Sequence, residues 1–322
     1  MRPQLNLRDP RTCAATVAIG LTCTVALEAP LAADAGPPQP PASLPATLTD
    51  HHVLRLGDHV TVSGRIPQGQ GGGMVELDFR AAGTAVWNPV ASATSDRSGG
   101  FALRAPLTRS GSVRVATGGA ASSRTPVGSG RSPVSAELPV SVQGGLTVRP
   151  PRMDVLIGGA LNMTGILNPT VPHRAVVLQE RAQRGWQTVA RARTGPHGRY
   201  RLSFHPRHTG SESARVRFAG DVQNAAAVRP IGRVNVYRLA GASWYGGGGS
   251  LACGGTLSDA TQGVANKTLP CGTLVTLRYG ARRVRVPVVD RGPYVAGRDF
   301  DLTPATRAAL GFGDTGEVWS TR

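Results

Sequence analysis

Apolar and polar residues alternate with a period of two in many short runs along this chain. Val60-Thr61-Val62-Ser63, Val75-Glu76-Leu77, Leu161-Asn162-Met163-Thr164 and Arg283-Val284-Arg285-Val286 all follow the pattern. Period two places alternate side chains on opposite faces of a strand, so these runs predict short strands with one buried face. Glycine and proline punctuate them at intervals of about ten residues, as expected of a β protein built from short strands. A helix is predicted in one place only, where Thr303 precedes Pro304 and Gly311 closes the apolar run. That combination supplies a cap, a first-turn proline and a C-terminal glycine.

The pattern also repeats. Leu54 to Gly57 followed by Val60 to Gly64 matches Val155 to Gly158 followed by Leu161 to Gly165. Val75 to Leu77 matches Val176 to Leu178, Trp87 matches Trp186, and Gly99 to Leu103 matches Gly198 to Leu202. The offset is about 100 residues and drifts by about two, which is the size of an immunoglobulin-like sandwich and too long for a solenoid unit. The fold class read from the chain is therefore all-β, with two immunoglobulin-like β-sandwich repeats followed by a smaller barrel. The expected division is 1–35 signal peptide, 36–46 proline-rich linker, 47–145 first sandwich, 146–238 second sandwich and 239–322 barrel. Trp87 and Trp186 are expected in the sandwich cores, with ligand stacking as the alternative. Gly118 to Ser132 reads as a loop.

Composition adds an address and a charge. Arg2, Arg8 and Arg11 precede an apolar stretch from Cys13 to Leu27, and Ala33-Asp34-Ala35 offers small residues for cleavage, the layout of a secretory signal ending near Ala35. The apolar run is shorter than the roughly 20 residues that span a bilayer, so no transmembrane segment is expected in the mature chain. Cleavage leaves Cys253 and Cys271, an isolated pair in an oxidising compartment, which reads as a disulfide. With no histidine after His208, the pair lacks the ligands for a tetrahedral metal site, and neither metal nor cofactor is expected.

The net charge is +17. Its 36 basic groups include a single lysine, Lys267. Residues 1–35 balance at three groups of each sign and residues 240–322 carry nine basic against six acidic, so +14 falls between them, on the repeats. Such a charge attracts polyanions. The export signal selects the anionic polymers of a cell wall over nucleic acid. The seven histidines (His51, His52, His59, His173, His197, His205 and His208) are scattered through the repeats and read as surface residues.

Candidate chemistry lies in the last domain. Ala242-Ser243-Trp244-Tyr245-Gly246, Asn266-Lys267-Thr268-Leu269-Pro270-Cys271-Gly272-Thr273, Val289-Asp290-Arg291-Gly292-Pro293-Tyr294 and Gly297-Arg298-Asp299-Phe300-Asp301-Leu302-Thr303 occur in that order. These segments resemble the motifs of the rare lipoprotein A (RlpA) family of double-psi β-barrels, a resemblance covering about a quarter of the chain. It implies a six-stranded barrel with an open groove and lytic transglycosylase activity on peptidoglycan glycan strands.

In such a reaction an acid protonates the leaving oxygen while the sugar's own C6 hydroxyl attacks, so one carboxyl suffices. Asp290, ending an apolar strand, is the candidate acid; the competing reading is that it pins the turn that follows. Asp301 is the second candidate, because the Asp of a Phe-Asp-Leu segment lines the groove in expansin-like relatives; the competing reading is structural, since it lies two residues before the helix cap. Trp244, Tyr245, Asn266, Lys267, Arg291 and Tyr294 are candidate sugar contacts, although core packing is favoured for one of Trp244 and Tyr245. Two positions depart from the family pattern: Gly255 stands where a Glu is usual and Asn266 where a His is usual. The readings that follow are a lytic transglycosylase, a non-cleaving wall-binding or wall-loosening module, and, third, a protein-binding barrel of the barwin-like kind.

Overall fold

The computed structural model describes residues 44–49, 53–66, 71–117, 134–149 and 153–322, all within a packed unit that spans Ala42–Arg322. The expected signal peptide, its cleavage site at Ala35, most of the proline-rich linker, His51, His52 and the loop Gly118 to Ser132 lie outside the described residues.

The alternating runs form two sandwiches. In the first, β1 (Ala46–Leu48), β3 (His59–Arg65) and β6 (Gly100–Pro106) make a three-stranded sheet in the order β1-β3-β6. It faces a five-stranded sheet of β2 (Val53–Leu54), β4 (Met74–Ala81), β5 (Asn88–Thr94), β7 (Gly111–Thr117) and β8 (Leu138–Val142), ordered β2-β8-β7-β4-β5. Val60, Val62, Val75, Leu77, Leu103, Val113 and Val115 fill the space between the sheets, and Leu44 is buried with them. The second sandwich repeats the plan. The strands β9 (Gly145–Arg149), β11 (Leu161–Asn168) and β14 (Arg199–Phe204) form the small sheet. The strands β10 (Asp154–Leu156), β12 (Ala175–Ala182), β13 (Gly185–Arg193), β15 (Gly210–Phe218) and β16 (Ala227–Trp244) form the large one. Its core holds Leu161, Met163, Val176, Leu178, Leu202, Val216 and Phe218.

The correspondence extends to irregularities. Each repeat has a parallel pair at the edge of its large sheet, β2 with β8 and β10 with β16. Each also has a bulge in the same place, after Leu77 and after Leu178. The tryptophans are where expectation and structure differ. Trp87 and Trp186 are only half-buried and belong to neither core. Arg80 and Arg114 lie 4.7 and 4.3 Å from the Trp87 ring, and Arg181 and Arg215 lie 5.8 and 4.0 Å from the Trp186 ring. Each indole sits past the bulge at the outer end of its sheet, where two guanidiniums cover it in place of aliphatic neighbours. The five described histidines (His59, His173, His197, His205 and His208) are exposed.

One core position has diverged chemically. Register equates Phe79, which packs against the first core, with Glu180 in the second sandwich. Burial, reinforced by the neighbouring Glu212 charge, pushes the Glu180 carboxyl up to about 7. A carboxyl held above its unfolded value favours the folded state while protonated, so this contribution is lost as pH rises from about 4.5 through 7. Glu180→Gln should remove the loss and gain about 1–2 kcal/mol at pH 8, after allowance for its partial exposure, with no gain at pH 4. Urea unfolding at the two pH values checks this.

Polar joints tie the domains together. Arg174, buried at 5% exposure, donates to Asp221 at 2.8 and 3.1 Å and to Asn224 at 3.0 Å. Asn224 in turn donates to Thr108 O at 2.9 Å and Val142 O at 3.3 Å in the first sandwich. At the other end, Asp154 accepts from Asn235 at 2.8 Å, Tyr237 at 2.9 Å and Arg283 of the barrel at 3.0 Å.

The barrel begins inside a sandwich strand. The strand β16 runs unbroken through Leu239; its first part pairs with β15, and its last residues pair with β20 and β21. The remaining elements are β17 (Val264–Ala265), β18 (Leu274–Tyr279), β19 (Arg282–Asp290), β20 (Phe300–Leu302), α1 (Pro304–Leu310) and β21 (Thr315–Ser320). The strand order β16-β20-β17-β19-β18-β21 closes by a β21 to β16 pairing, giving six strands with no free edge. Two neighbouring pairs, β16 with β20 and β17 with β19, are parallel. Val264, Val275, Leu277, Val288, Phe300 and Leu302 fill the interior. Thr303 precedes the helix and Gly311 ends it at φ 63°, yet the Thr303 hydroxyl does not cap. It and Thr306 instead bond both backbone groups of Gly263, at 2.9–3.0 Å, clamping α1 to β17.

Candidate functional site

Closing the barrel brings the candidate acids into one cross-strand row. Asp290 at the end of β19 pairs with Ala265, Ala265 pairs with Asp301, and Asp301 pairs with Ser243. The backbones of Asp290 and Asp301 are therefore two strand spacings apart, roughly 10 Å across the sheet. Tyr245 follows β16 directly and completes the group. Burial, then the charge and hydrogen-bonding reach of Asp290, then the charge of Asp301 raise its phenol above the ordinary range. Its hydroxyl is buried without a partner in strict hydrogen-bond geometry. The Tyr245 hydroxyl therefore stays protonated at neutral pH, buried within the influence of two carboxylates.

Both readings of Asp290 have a place in this geometry. Its Oδ1 accepts from the amides of Ala252 and Arg291, each at 2.8 Å, which pins the turn. Neither of these amide bonds uses Oδ2, and the Tyr245 hydroxyl lies within hydrogen-bonding reach of the carboxylate. Asp301 accepts from the Ser243 hydroxyl, which fixes its orientation.

The Ala252 amide reaches Asp290 because its loop is folded back onto the barrel. Leu251 N donates to Gly255 O at 3.0 Å, Leu257 N to Gly249 O at 2.8 Å, and Cys253 N to Val289 O at 3.2 Å. Cys253 and Cys271 are joined as a disulfide with a Cα–Cα distance of 5.5 Å, anchoring this loop beside the strand that ends in Asp290. The bond closes a segment of 18 residues, so Cys271→Ser should lower stability by about 2–4 kcal/mol. The check is a comparison of urea midpoints for the variant and the oxidised wild type. Gly255 sits in the same loop at φ +86°, with open space where a side chain would project. Room exists for the family's Glu, but the backbone is in a conformation that favours glycine.

The other candidates separate into free and engaged groups. Arg291 donates to Asn266 O at 3.0 Å, Leu269 O at 2.8 Å and Cys271 Sγ at 3.2 Å, so its fork braces the 266–271 segment. Asn266, 8% exposed, donates to Asp299 O at 2.9 Å and accepts from the amides of Thr268 and Leu269. It holds the same segment, and its hydrogen bond to Asp290 is backbone to backbone. Trp244 lies under Arg307 at 4.2 Å and donates to Asp314 at 3.0 Å, on the side of the strand end facing α1. Lys267 is exposed, and Tyr294 is 82% exposed on the loop after Asp290. Sequence reasoning missed Ser243 and the Ala252 amide. Ser243 lies inside the Ala242 to Gly246 motif and was legible as a neighbour of Asp301 only once the parallel pairing was known.

A closed six-stranded barrel with two parallel pairs and a polar row at one end defines a double-psi β-barrel domain. Residues 239–319 match the family model described as Lytic transglycolase. The probable endolytic peptidoglycan transglycosylase RlpA of Aquifex aeolicus is 44% identical over 75 residues, 22% of this chain and 33% of that protein. The endolytic peptidoglycan transglycosylase RlpA of Pseudomonas aeruginosa is 37% identical over 93 residues, 27% of each chain. The C-terminal domain is thus RlpA-like and of the lytic transglycosylase type. The chain spans about a third or less of the curated relatives it matches. A marsupial T cell receptor aligns with 87% of this chain and 92% of its own at 10% identity and a TM-score of 0.30.

Proposed function

We propose that this protein is exported and cleaves peptidoglycan glycan strands as a lytic transglycosylase, with Asp290 as its acid. The observation that carries the reading is the juxtaposition of Asp290, Asp301 and the buried Tyr245 hydroxyl in an RlpA-like barrel. Protonated at Oδ2, Asp290 gives its proton to the glycosidic oxygen as the C1–O bond breaks. Asp301 offers negative charge to the oxocarbenium-like centre. The C6 hydroxyl of the same sugar attacks C1, its proton returns to Asp290, and a 1,6-anhydro end forms with no water consumed. Tyr245 remains a donor throughout, placed to orient Asp290 or a sugar oxygen. Tyr294 and Lys267, exposed beside this row, are proposed sugar contacts.

Asn266 and Gly255 favour a second reading, a barrel that binds and loosens glycan without cutting it. Neither supplies a proton-transfer group where the family pattern has His and Glu. Purified glycan strands incubated with the full chain decide between the two. Soluble products with 1,6-anhydro ends in the mass spectrum support cleavage. Co-sedimentation with sacculi and no products at high protein concentration supports binding alone. The disulfide and the proposed substrate both point to an extracytoplasmic location. The basic repeats are proposed to hold the barrel against anionic wall polymers.

A further inference from the structure

Four arginines of the second sandwich line one groove. The solvent face of β9, β11 and β14 forms a groove of about 940 Å³ whose lining includes Arg149, Arg193, Arg199 and Arg201 and no acidic residue. Register orders these side chains. Arg149 and Arg201 flank Thr164 on either side, and Thr147 and Arg199 flank Ile166 in the next row. Arg149 and Arg201 are two strand spacings apart, roughly 10 Å, and Arg199 and Arg201 are two residues apart, roughly 7 Å. All four arginines are exposed. Among the described residues none of them has an ion-pair partner.

The fold does not require this cluster. The first sandwich builds the same sheet, and register equates Arg149 with Thr47, Arg193 with Thr94, Arg199 with Gly100 and Arg201 with Ala102. Four guanidiniums in place of Thr, Thr, Gly and Ala give this face a positive charge that its counterpart lacks, and Arg193 alone among them is tied to a backbone carbonyl, that of His173 at 2.8 Å. A planar fork of donors suits phosphate in particular, and the Thr147 and Thr164 hydroxyls add neutral donors beside it.

We propose that this groove binds a phosphodiester polymer of the cell wall, a chain of polyol phosphates, and so positions the barrel on the wall. The assignment of the polymer to the wall rests on the function proposed above; the groove itself does not. Charges spread over two rows fit repeated phosphates along a chain. Nucleic acid is disfavoured because the groove lacks a stacking platform. Its one aromatic residue, Tyr200, is 4% exposed and its hydroxyl is bonded to Thr147 O at 2.6 Å. A membrane surface is disfavoured because none of the large exposed apolar side chains lines the groove.

The test titrates fluorescently labelled poly(glycerol phosphate) with the full chain at moderate salt. Arg199→Gln with Arg201→Gln should weaken binding by about tenfold or more. Arg65→Gln with Arg104→Gln, which removes the same charge from the first sandwich, should change it by less than about twofold. Equal losses in the two pairs would show a diffuse field and overturn the groove, as would unchanged binding in the first pair. Labelled oligothymidylate binding as tightly as the polyol phosphate would overturn the ligand class. Glycan digestion by the same variants keeps the two claims apart. A wild-type chain that binds poly(glycerol phosphate) through the groove yet neither cuts strands nor sediments with sacculi removes the wall reading and leaves the groove standing.

Discussion

Asp290→Asn is expected to lower glycan-strand cleavage by about a hundred- to ten-thousand-fold while leaving the fold and sedimentation with sacculi unchanged. The substitution separates the two roles of this residue. An asparagine keeps an oxygen that can accept from the Ala252 and Arg291 amides, so the turn pinned by Oδ1 persists. What disappears is the carboxyl proton that Oδ2 would deliver, because an amide neither gives nor takes a proton at neutral pH. If Asp290 only shapes the turn, Asn should serve nearly as well, and product yield will stay within a few-fold of wild type. Tyr245→Phe gives a graded companion measurement. It removes the hydroxyl beside Asp290 and keeps the ring, so a fall in rate with unchanged thermal unfolding locates the effect in the site.

Asp154→Ala is expected to destabilise the described unit by about 2–4 kcal/mol at pH 7, read from the urea midpoint. The carboxylate lies where the second sandwich meets the barrel, and three donors depend on it: Asn235, Tyr237 and Arg283. Tyr237 has no solvent exposure and Asn235 is 3% exposed, so neither can turn to water when Asp154 is removed. Burial raises the Asp154 carboxyl, but its hydrogen bonds from Asn235, Tyr237 and Arg283 outweigh this and hold it below the usual carboxylate range. A carboxyl lowered in this way stabilises the folded state above its unfolded pKa, and the contribution is lost as pH falls through the folded value. The wild type should therefore lose stability on acidification more steeply than Asp154→Ala. This is opposite in sign to the behaviour expected of Glu180, which makes the two carboxylates separable in one pH series.

Much of the architecture was legible because period-two alternation states which face of a strand is buried. The alternating run Arg283 to Val286 lies within the strand Arg282–Asp290, and the helix closes at Gly311. The offset of about 100 residues between the repeats reappears as matched sheets, matched parallel edges and matched bulges. Alternation does not name a strand's partners, however. Nothing local in Leu239 to Trp244 indicates that these residues extend a sandwich strand and then pair with β20 and β21.

The same limit governed the site. Asp290, Asp301 and Tyr245 were readable as chemistry, but their common row depends on two parallel pairings made across long separations. Arg291 and Asn266 looked available because a charged or amide side chain in a motif invites a ligand. In the fold they meet backbone carbonyls and amides of the 266–271 segment, partners that a residue-type pattern does not encode. Trp87 and Trp186 illustrate the point in the repeats: the aromatic positions recur, and the arginines that cover them recur with them, at register positions only the sheet reveals.

The central claim is that the barrel cuts glycan by internal attack, using its own carboxyl and no water. Digestion of purified glycan strands in heavy-oxygen water, followed by mass spectrometry of the products, tests it most directly. The account predicts 1,6-anhydro ends carrying no heavy oxygen, and their loss in Asp290→Asn. Reducing ends that carry heavy oxygen would show water as the nucleophile and contradict the mechanism, and an absence of products from a folded chain that still sediments with sacculi would contradict the activity.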